Sequence, residues 1–241
     1  INYFNHMENI KTKNIIINNN LEEISKKIIN YEDQMRRLRI TIHDQDDNDF
    51  ILLKAALQSQ SLLYLHSRFN KKNQIKINMH IMFPEDNCID SIIIDTADFD
   101  VCPYSVYYFI RIIDNWSEGL IHRNASHVQQ IKGNNLFIKP LAFQEYNHFF
   151  KHIKYSLGFA GRPGGPQFYI SMKDNTINHG PGSQNSVTNE ADSCFGIIND
   201  YISRKIVDSF RFFPDKKYIN SKGFIESNDL CIKIIGFDLD V

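Results

Sequence analysis

The side chains able to do chemistry are scattered along these 241 residues rather than gathered into one motif. The four cysteines, Cys88, Cys102, Cys194 and Cys231, are widely spaced and form no Cys-x-x-Cys pair. A zinc site or a disulfide framework is therefore poorly supported, and buried free thiols are the expectation. His122, His127, His148, His152 and His179 invite a metal reading. His148 and His152 stand four apart, a spacing that sets two ligands on one helical face. No carboxylate or third ligand is spaced to complete them, so they read as surface histidines and no metal is expected. Gly161-Arg162-Pro163-Gly164-Gly165 lacks the Gly-Lys-Ser/Thr ending of a phosphate loop and reads as a tight turn. No Gly-x-Ser-x-Gly elbow occurs, so a serine hydrolase has no support. Arg123, taken alone, is a surface arginine in a salt bridge.

The elements that must position these residues fall into two textures. From Leu21 to Ile42 the apolar residues Leu21, Ile24, Ile28, Tyr31, Met35, Leu38 and Ile42 follow a three-heptad seam flanked by charges. The acidic stretch 44–49 breaks the pattern and offers N-capping residues. A second helical pattern runs through Phe50, Leu53, Leu57 and Tyr64. The expectation is an α-helical arm over residues 1–72, either a hairpin folded back on its own chain or a coiled coil that self-associates through 21–42. The run Ile15-Ile16-Ile17-Asn18-Asn19-Asn20 reflects a general richness in Ile and Asn and carries no reading of its own.

Over residues 73–241 the chain alternates. A strand hairpin spans 76–83 and 89–95 about the turn Pro84-Glu85-Asp86-Asn87. A helix follows Pro103, with Val106, Phe109, Ile110 and Ile113 on one face. Short strands are expected at 127–132, 156–160, 167–171, 194–198 and 230–237, with a second helix at 201–210. Many short strands and two modest helices predict a mainly β domain, a closed antiparallel barrel with helices over its ends.

The order of these pieces resembles the cyclophilin peptidyl-prolyl cis-trans isomerases. Gly119-Leu120-Ile121-His122-Arg123 and Val128-Gln129-Gln130 follow the Pro-led helix as they do in that family. Leu157-Gly158-Phe159-Ala160-Gly161 and Gly165-Pro166-Gln167-Phe168-Tyr169-Ile170 are similar to its Leu-Ser-Met-Ala-Asn and Gly-Ser-Gln-Phe-Phe-Ile. Cys194-Phe195-Gly196-Ile197-Ile198, followed by a helix, looks like its Val-Phe-Gly-Lys-Val and closing helix. The resemblance covers about residues 74–238. It implies an eight-stranded barrel capped by two helices, with no metal or organic cofactor, acting on X-Pro bonds of peptides or proteins.

Such a bond resists rotation because amide resonance holds it planar. A catalyst needs no nucleophile; it must bind the twisted bond better than either planar state. Twisting gives the prolyl nitrogen a lone pair that a fixed cation with N–H donors stabilises, a task suited to arginine. By resemblance Arg123 is that residue. Gln130 matches a glutamine that holds the substrate backbone, on a one-residue deletion after Arg123, with Gln129 as the fallback. Ala160 and Gly161 match the edge that pairs with substrate, and Gln167 a second polar contact. Tyr169 and Val128 stand where the family lines its proline pocket with phenylalanines.

The departures bear on function. Val128 thins the pocket floor, and the hydroxyl of Tyr169 needs a partner. The family's loop tryptophan has no match, Asp192 replaces a frequent histidine, and the loop 175–182 is unusual. The sequence supports a divergent, slow isomerase, or a peptide-binding module tethered by a coiled coil that has lost turnover, or a structural head for an oligomerising arm. The triplets Asn115-Trp116-Ser117 and Asn124-Ala125-Ser126 are glycosylation sequons, and a glycan on Asn124 would crowd Arg123.

Charge narrows the partners. Lys and Arg number 27 against 28 Asp and Glu, a net charge of −1. A chain built to hold nucleic acid carries a basic surplus, so none is expected as a partner. No run approaches the ~18 apolar residues of a membrane span. The chain starts at Ile1 rather than Met. A removed signal or anchor would place it in the endomembrane lumen, and without one the cytoplasm is the expectation.

Overall fold

The computed structural model describes residues 2–41, 48–85, 88–134, 136–183 and 190–240. The chain divides into two compact units, Ile1–Asn73 and Gln74–Val241. In the first, helix α1 (Asn2–Thr41) packs antiparallel to helix α2 (Asn48–Arg68). The stretch around Ile24 lies beside Leu63, and that around Leu38 beside Leu52. Within the seam Ile28 and Met35 are fully buried, while Leu21, Ile24, Tyr31 and Leu38 are half-buried. Ile42 and the acidic residues 44–47 lie outside the described residues.

Helix α1 is much longer than its heptads. It takes in the Ile15–Asn20 run that looked like mere composition. Isoleucine and asparagine are weak helix formers but not breakers, and no Gly or Pro precedes Pro84 to stop the helix.

In the second unit eight strands close into a barrel. They are β1 (Lys76–Met82), β2 (Ile89–Thr96), β3 (Gly119–Asn124), β4 (Val128–Gly133), β5 (Ser156–Phe159), β6 (Phe168–Ser171), β7 (Cys194–Ile197) and β8 (Lys233–Asp240). Their spatial order is β1-β2-β7-β5-β6-β4-β3-β8, and every neighbouring pair is antiparallel. The β1–β2 hairpin follows from period-two alternation: Ile77, Met79, Ile81, Ile92 and Ile94 are wholly buried, and the residues between them are not. Of its turn, Asp86 and Asn87 lie outside the described residues.

Helix α3 (Pro103–Asp114) opens with proline at its first position, where the missing N–H costs nothing. The sequence suggests one buried face, yet Tyr104, Tyr107 and Tyr108 are buried along with Val106, Phe109 and Ile110. The reason is the segment 139–145, which covers the other side. The Tyr108 hydroxyl donates to the Lys139 carbonyl at 2.9 Å, and the Ala142 N–H donates to the Tyr104 hydroxyl oxygen at 2.9 Å. The Glu145 carboxylate accepts from Ser105 N at 2.6 Å, at the positive end of the helix. Phe109 then meets Phe168 and Phe195 at centroid distances of 5.3 and 4.2 Å.

Two further α-helical stretches are found among the described residues of the barrel unit. The turn α4 (Thr176–His179) lies in the unusual loop, and α5 (Tyr201–Ser209) is capped by Asp200 accepting from Ser203 N. Cys102, Cys194 and Cys231 are buried free thiols; Cys88, expected with them, is exposed, since it lies outside the strands at the start of β2. Among the described residues no helix is long and apolar enough to cross a membrane.

Candidate functional site

Four strands bring the candidate residues into one row. Residues paired across an antiparallel ladder share a face, and the register pairs Arg123 with Gln130, Gln130 with Tyr169, and Tyr169 with Gly158. The alignment of Arg123 with Gln130 depends on a bulge. The β3–β4 register shifts between Ile121 and Arg123, which absorbs the missing residue and brings Gln130 level with the arginine. Gln129 therefore points to the opposite face and is 1% exposed.

Hydrogen bonds fix the row. Arg123 Nε donates to the Lys222 carbonyl at 3.0 Å, and its Nη1 lies 3.4 Å from Gln130 Oε1. Gln130 Nε2 donates to Gln167 Oε1 at 2.7 Å. The guanidinium also lies over the Phe224 ring at 5.1 Å. Beside it, burial lowers His122 to about 4, helped by the charges of Lys132 and Arg123 and opposed by a hydrogen bond with Gln167. A neutral imidazole thus flanks the cation at neutral pH.

Tyr169 continues the row into a buried polar cluster. Its ring fits because Gly158 has no side chain; a Cβ there would lie 2.6 Å from the Tyr169 hydroxyl. That hydroxyl is 3.1 Å from Asp192 Oδ2 and 3.3 Å from His152 Nδ1. His179 Nδ1 donates to the same Oδ2 at 2.6 Å, and Arg162 Nε donates to Oδ1 at 2.8 Å. His152 Nε2 faces the Asp192 carbonyl at 2.9 Å; a carbonyl only accepts, so this nitrogen carries the proton. Burial would raise the Asp192 carboxyl, but His179 and Arg162 outweigh it and hold it below its usual range. Burial lowers His152 to about 4.

These geometries correct the sequence reading of the histidines. His152 is 0% exposed and His179 8%, so neither is a surface residue, and 151–153 is not helical. His148 is exposed. The cluster was not anticipated. Its one advance signal was Asp192, out of pattern with the family resemblance.

The remaining candidates sit close by. Ala160 N donates to the Gln167 carbonyl and its own carbonyl accepts from Gly165 N, so both of its backbone groups are engaged within the chain. The Gly161 carbonyl accepts from Gln144 Nε2 at 3.0 Å, and Gly161 is itself exposed at φ +93°. Val128 and Tyr169 are each 2% exposed.

The chemistry available here is that of a held cation and amide hydrogen bonds. Burial pushes the thiols of Cys102 and Cys231 above their usual range and that of Cys194 up to about 12, so none of the three is a ready nucleophile. Among the described residues no group of three or more His, Cys, Asp or Glu could hold a metal ion.

No family model matches the sequence, and no curated protein does. Among solved structures the chain is similar to a cyclophilin-type peptidyl-prolyl cis-trans isomerase of Cryptosporidium parvum, at 12% identity and a TM-score of 0.51. That likeness covers 70% of this chain and 98% of the other. A closed eight-stranded antiparallel barrel matched over nearly the whole of that neighbour gives this chain a divergent cyclophilin-like fold, with an added N-terminal helical region.

Proposed function

We propose that the barrel unit is a prolyl cis-trans isomerase of cyclophilin type. The observation that supports it is the hydrogen-bonded line from Arg123 through Gln130 to Gln167 on one face of the barrel. Arg123 is held by a backbone carbonyl and a side-chain amide, so its cation and N–H donors are fixed before substrate arrives. In this reading Arg123 stabilises the lone pair of the twisted prolyl nitrogen. Gln130 and Gln167 hold the flanking carbonyl and N–H groups, and Gly161 presents the edge along which the peptide lies. Tyr169 and Val128 form the floor, and the reaction needs no cofactor.

One observation favours a second reading, a peptide-binding module without turnover. The Tyr169 hydroxyl is bound into the Asp192 cluster, so the floor is polar where a prolyl ring calls for an apolar surface. One experiment separates the two. The full chain and Arg123→Ala are assayed for isomerisation on a panel of X-Pro peptides, with peptide binding measured in parallel. The isomerase reading expects the variant to lose turnover by about 100-fold or more while binding persists. A folded wild-type chain that binds peptides and turns over none of them would replace it with the binding module.

A further inference from the structure

Beside Arg123 the surface opens into two adjoining cavities, of about 590 and 480 Å³. Each is of a size that holds ligands, within the range of ~300–1,000 Å³. They share Asn124, Ala125, Ser126 and Ile219, and so form one continuous groove. The nearer is bounded by Arg123 and Lys222, the farther by Arg211 and Lys216. Every fully charged side chain lining the groove is basic, although the chain as a whole has a net charge of −1. Lys216 and Lys222 make no salt bridge among the described residues, and the nearest acid to Arg211, Asp208, is 3.6 Å away and also bonded to Lys154.

The groove also has an unmet acceptor. Asn124 Nδ2 donates to the carbonyls of Phe210 and Phe213 at 2.9 and 2.8 Å, which fixes the orientation of its amide. Its Oδ1 must then accept from Gln129 Nε2, at 2.6 Å. This orients Gln129 in turn and leaves its Oε1 with no donor. Gln129 lines the farther cavity while 1% exposed, so its amide cannot swing out to water. Met172 and Phe212, the latter 72% exposed, add apolar wall.

Resting on the isomerase reading above, we propose that this groove is an extended subsite for the acidic segment of a peptide whose proline is bound at Arg123. Carboxylates of the segment lie against Lys222, Lys216 and Arg211, and a backbone N–H meets Gln129 at the floor. The class of substrate is a protein chain with Asp or Glu residues flanking the X-Pro bond.

The test uses the full chain and two labelled peptides of the same length around one Ala-Pro pair, one with flanking Glu residues and one with Gln in their place. Binding is read by fluorescence anisotropy and turnover by the isomerisation assay. The Glu peptide is expected to bind about tenfold tighter at low salt, with the advantage shrinking as salt rises. The double variant Arg211→Gln/Lys216→Gln should cut that advantage to about threefold and leave turnover of the Gln peptide unchanged. Equal binding of the two peptides, or an advantage untouched by the double variant, overturns the subsite. An oligonucleotide of equal charge that binds as tightly as the Glu peptide also overturns it, in favour of a general polyanion surface. Absence of Gln-peptide turnover by the wild-type chain counts against the isomerase reading alone, because the Glu-to-Gln binding ratio is measured separately.

Discussion

Tyr169 places its hydroxyl 3.1 Å from the Oδ2 of Asp192, and this contact ties into a buried polar cluster the ring that the isomerase reading uses as its proline floor. The same hydroxyl faces His152 Nδ1, which is an acceptor because its ring proton is on Nε2. Replacing Tyr169→Phe removes one donor from Asp192 Oδ2, which keeps His179, and takes from buried His152 Nδ1 the hydroxyl that faces it. Stability should fall by about 1–3 kcal/mol, read as a lower urea midpoint at an unchanged m-value. The bare ring is also a better seat for proline, so turnover of X-Pro peptides should rise. A Tyr169→Phe chain of unchanged stability would show that the contact contributes nothing.

Asp192 answers a buried cation. The side chain of Arg162 is 10% exposed and donates to the Asp192 carboxylate, the Glu190 carbonyl and the Ser183 hydroxyl. Asp192→Asn keeps the shape and removes the charge, leaving the guanidinium buried without a counter-ion. The expected loss is about 3–5 kcal/mol by urea unfolding. Arg162→Gln added to Asp192→Asn should cost less than the sum of the two single changes, because neither partner is then charged.

Much of the fold was legible because it rests on period. Alternation announced Ile77, Met79, Ile81, Ile92 and Ile94, and helical spacing announced α2 and α3. The closed barrel needed more. Strands β5, β6 and β7 have four residues each, too few for any period to set their order or register. Only the family likeness arranged them. The row from Arg123 to Gln167 was likewise read from likeness, and the bulge at His122 that aligns it leaves no mark on composition. The Asp192 cluster was illegible for another reason. Its members come from β6, α4 and two irregular segments, so no spacing relates Tyr169, His152, His179 and Asp192 until the barrel has closed.

Gln130 holds one nitrogen of Arg123, while the Lys222 carbonyl holds another. On the isomerase reading, Gln130→Leu should leave the cation tethered but less well aimed, and remove one substrate contact. Loss of kcat/KM between about 10- and 100-fold is expected, smaller than for Arg123→Ala and without change in thermal midpoint. A loss confined to KM would mark Gln130 as a binding residue only.

The sequon at Asn124 is closed by the fold. Its Nδ2, the atom a glycan would occupy, donates to two backbone carbonyls. The chain secreted from a glycosylating host should carry no sugar at Asn124 by peptide mass spectrometry. Asn124→Asp removes both donors and turns a carboxylate toward the Phe210 and Phe213 carbonyls, so it should destabilise by about 2 kcal/mol or more. A glycan found on folded, soluble chain at this position would require the segment 210–213 to sit elsewhere.

Acid should loosen the barrel in two steps, and the buried histidines set the first. Burial lowers His152 and His122 from 6.5 to about 4 in the folded chain. Between those values the unfolded chain binds more protons than the folded one, so stability falls as pH drops from 6.5 toward 4. The groups facing His152 do not reverse this: Asp192 favours its charged form, but burial, joined by Arg162 and His179, outweighs it. The second step belongs to Asp192, whose carboxyl is held below its ordinary 3.8. Its contribution is complete above that value and is lost as pH falls through the lower, folded one. Urea midpoints measured from about pH 7.5 down to about 4.5 should therefore decline, ahead of the loss of the Asp192 contribution. His152→Gln should start from a lower midpoint at about pH 7.5, since it breaks the bonds to Tyr169 and Asp192, yet decline less over the same range. A variant that declines as steeply as the wild type would assign the acid sensitivity to His122 or to groups outside the cluster.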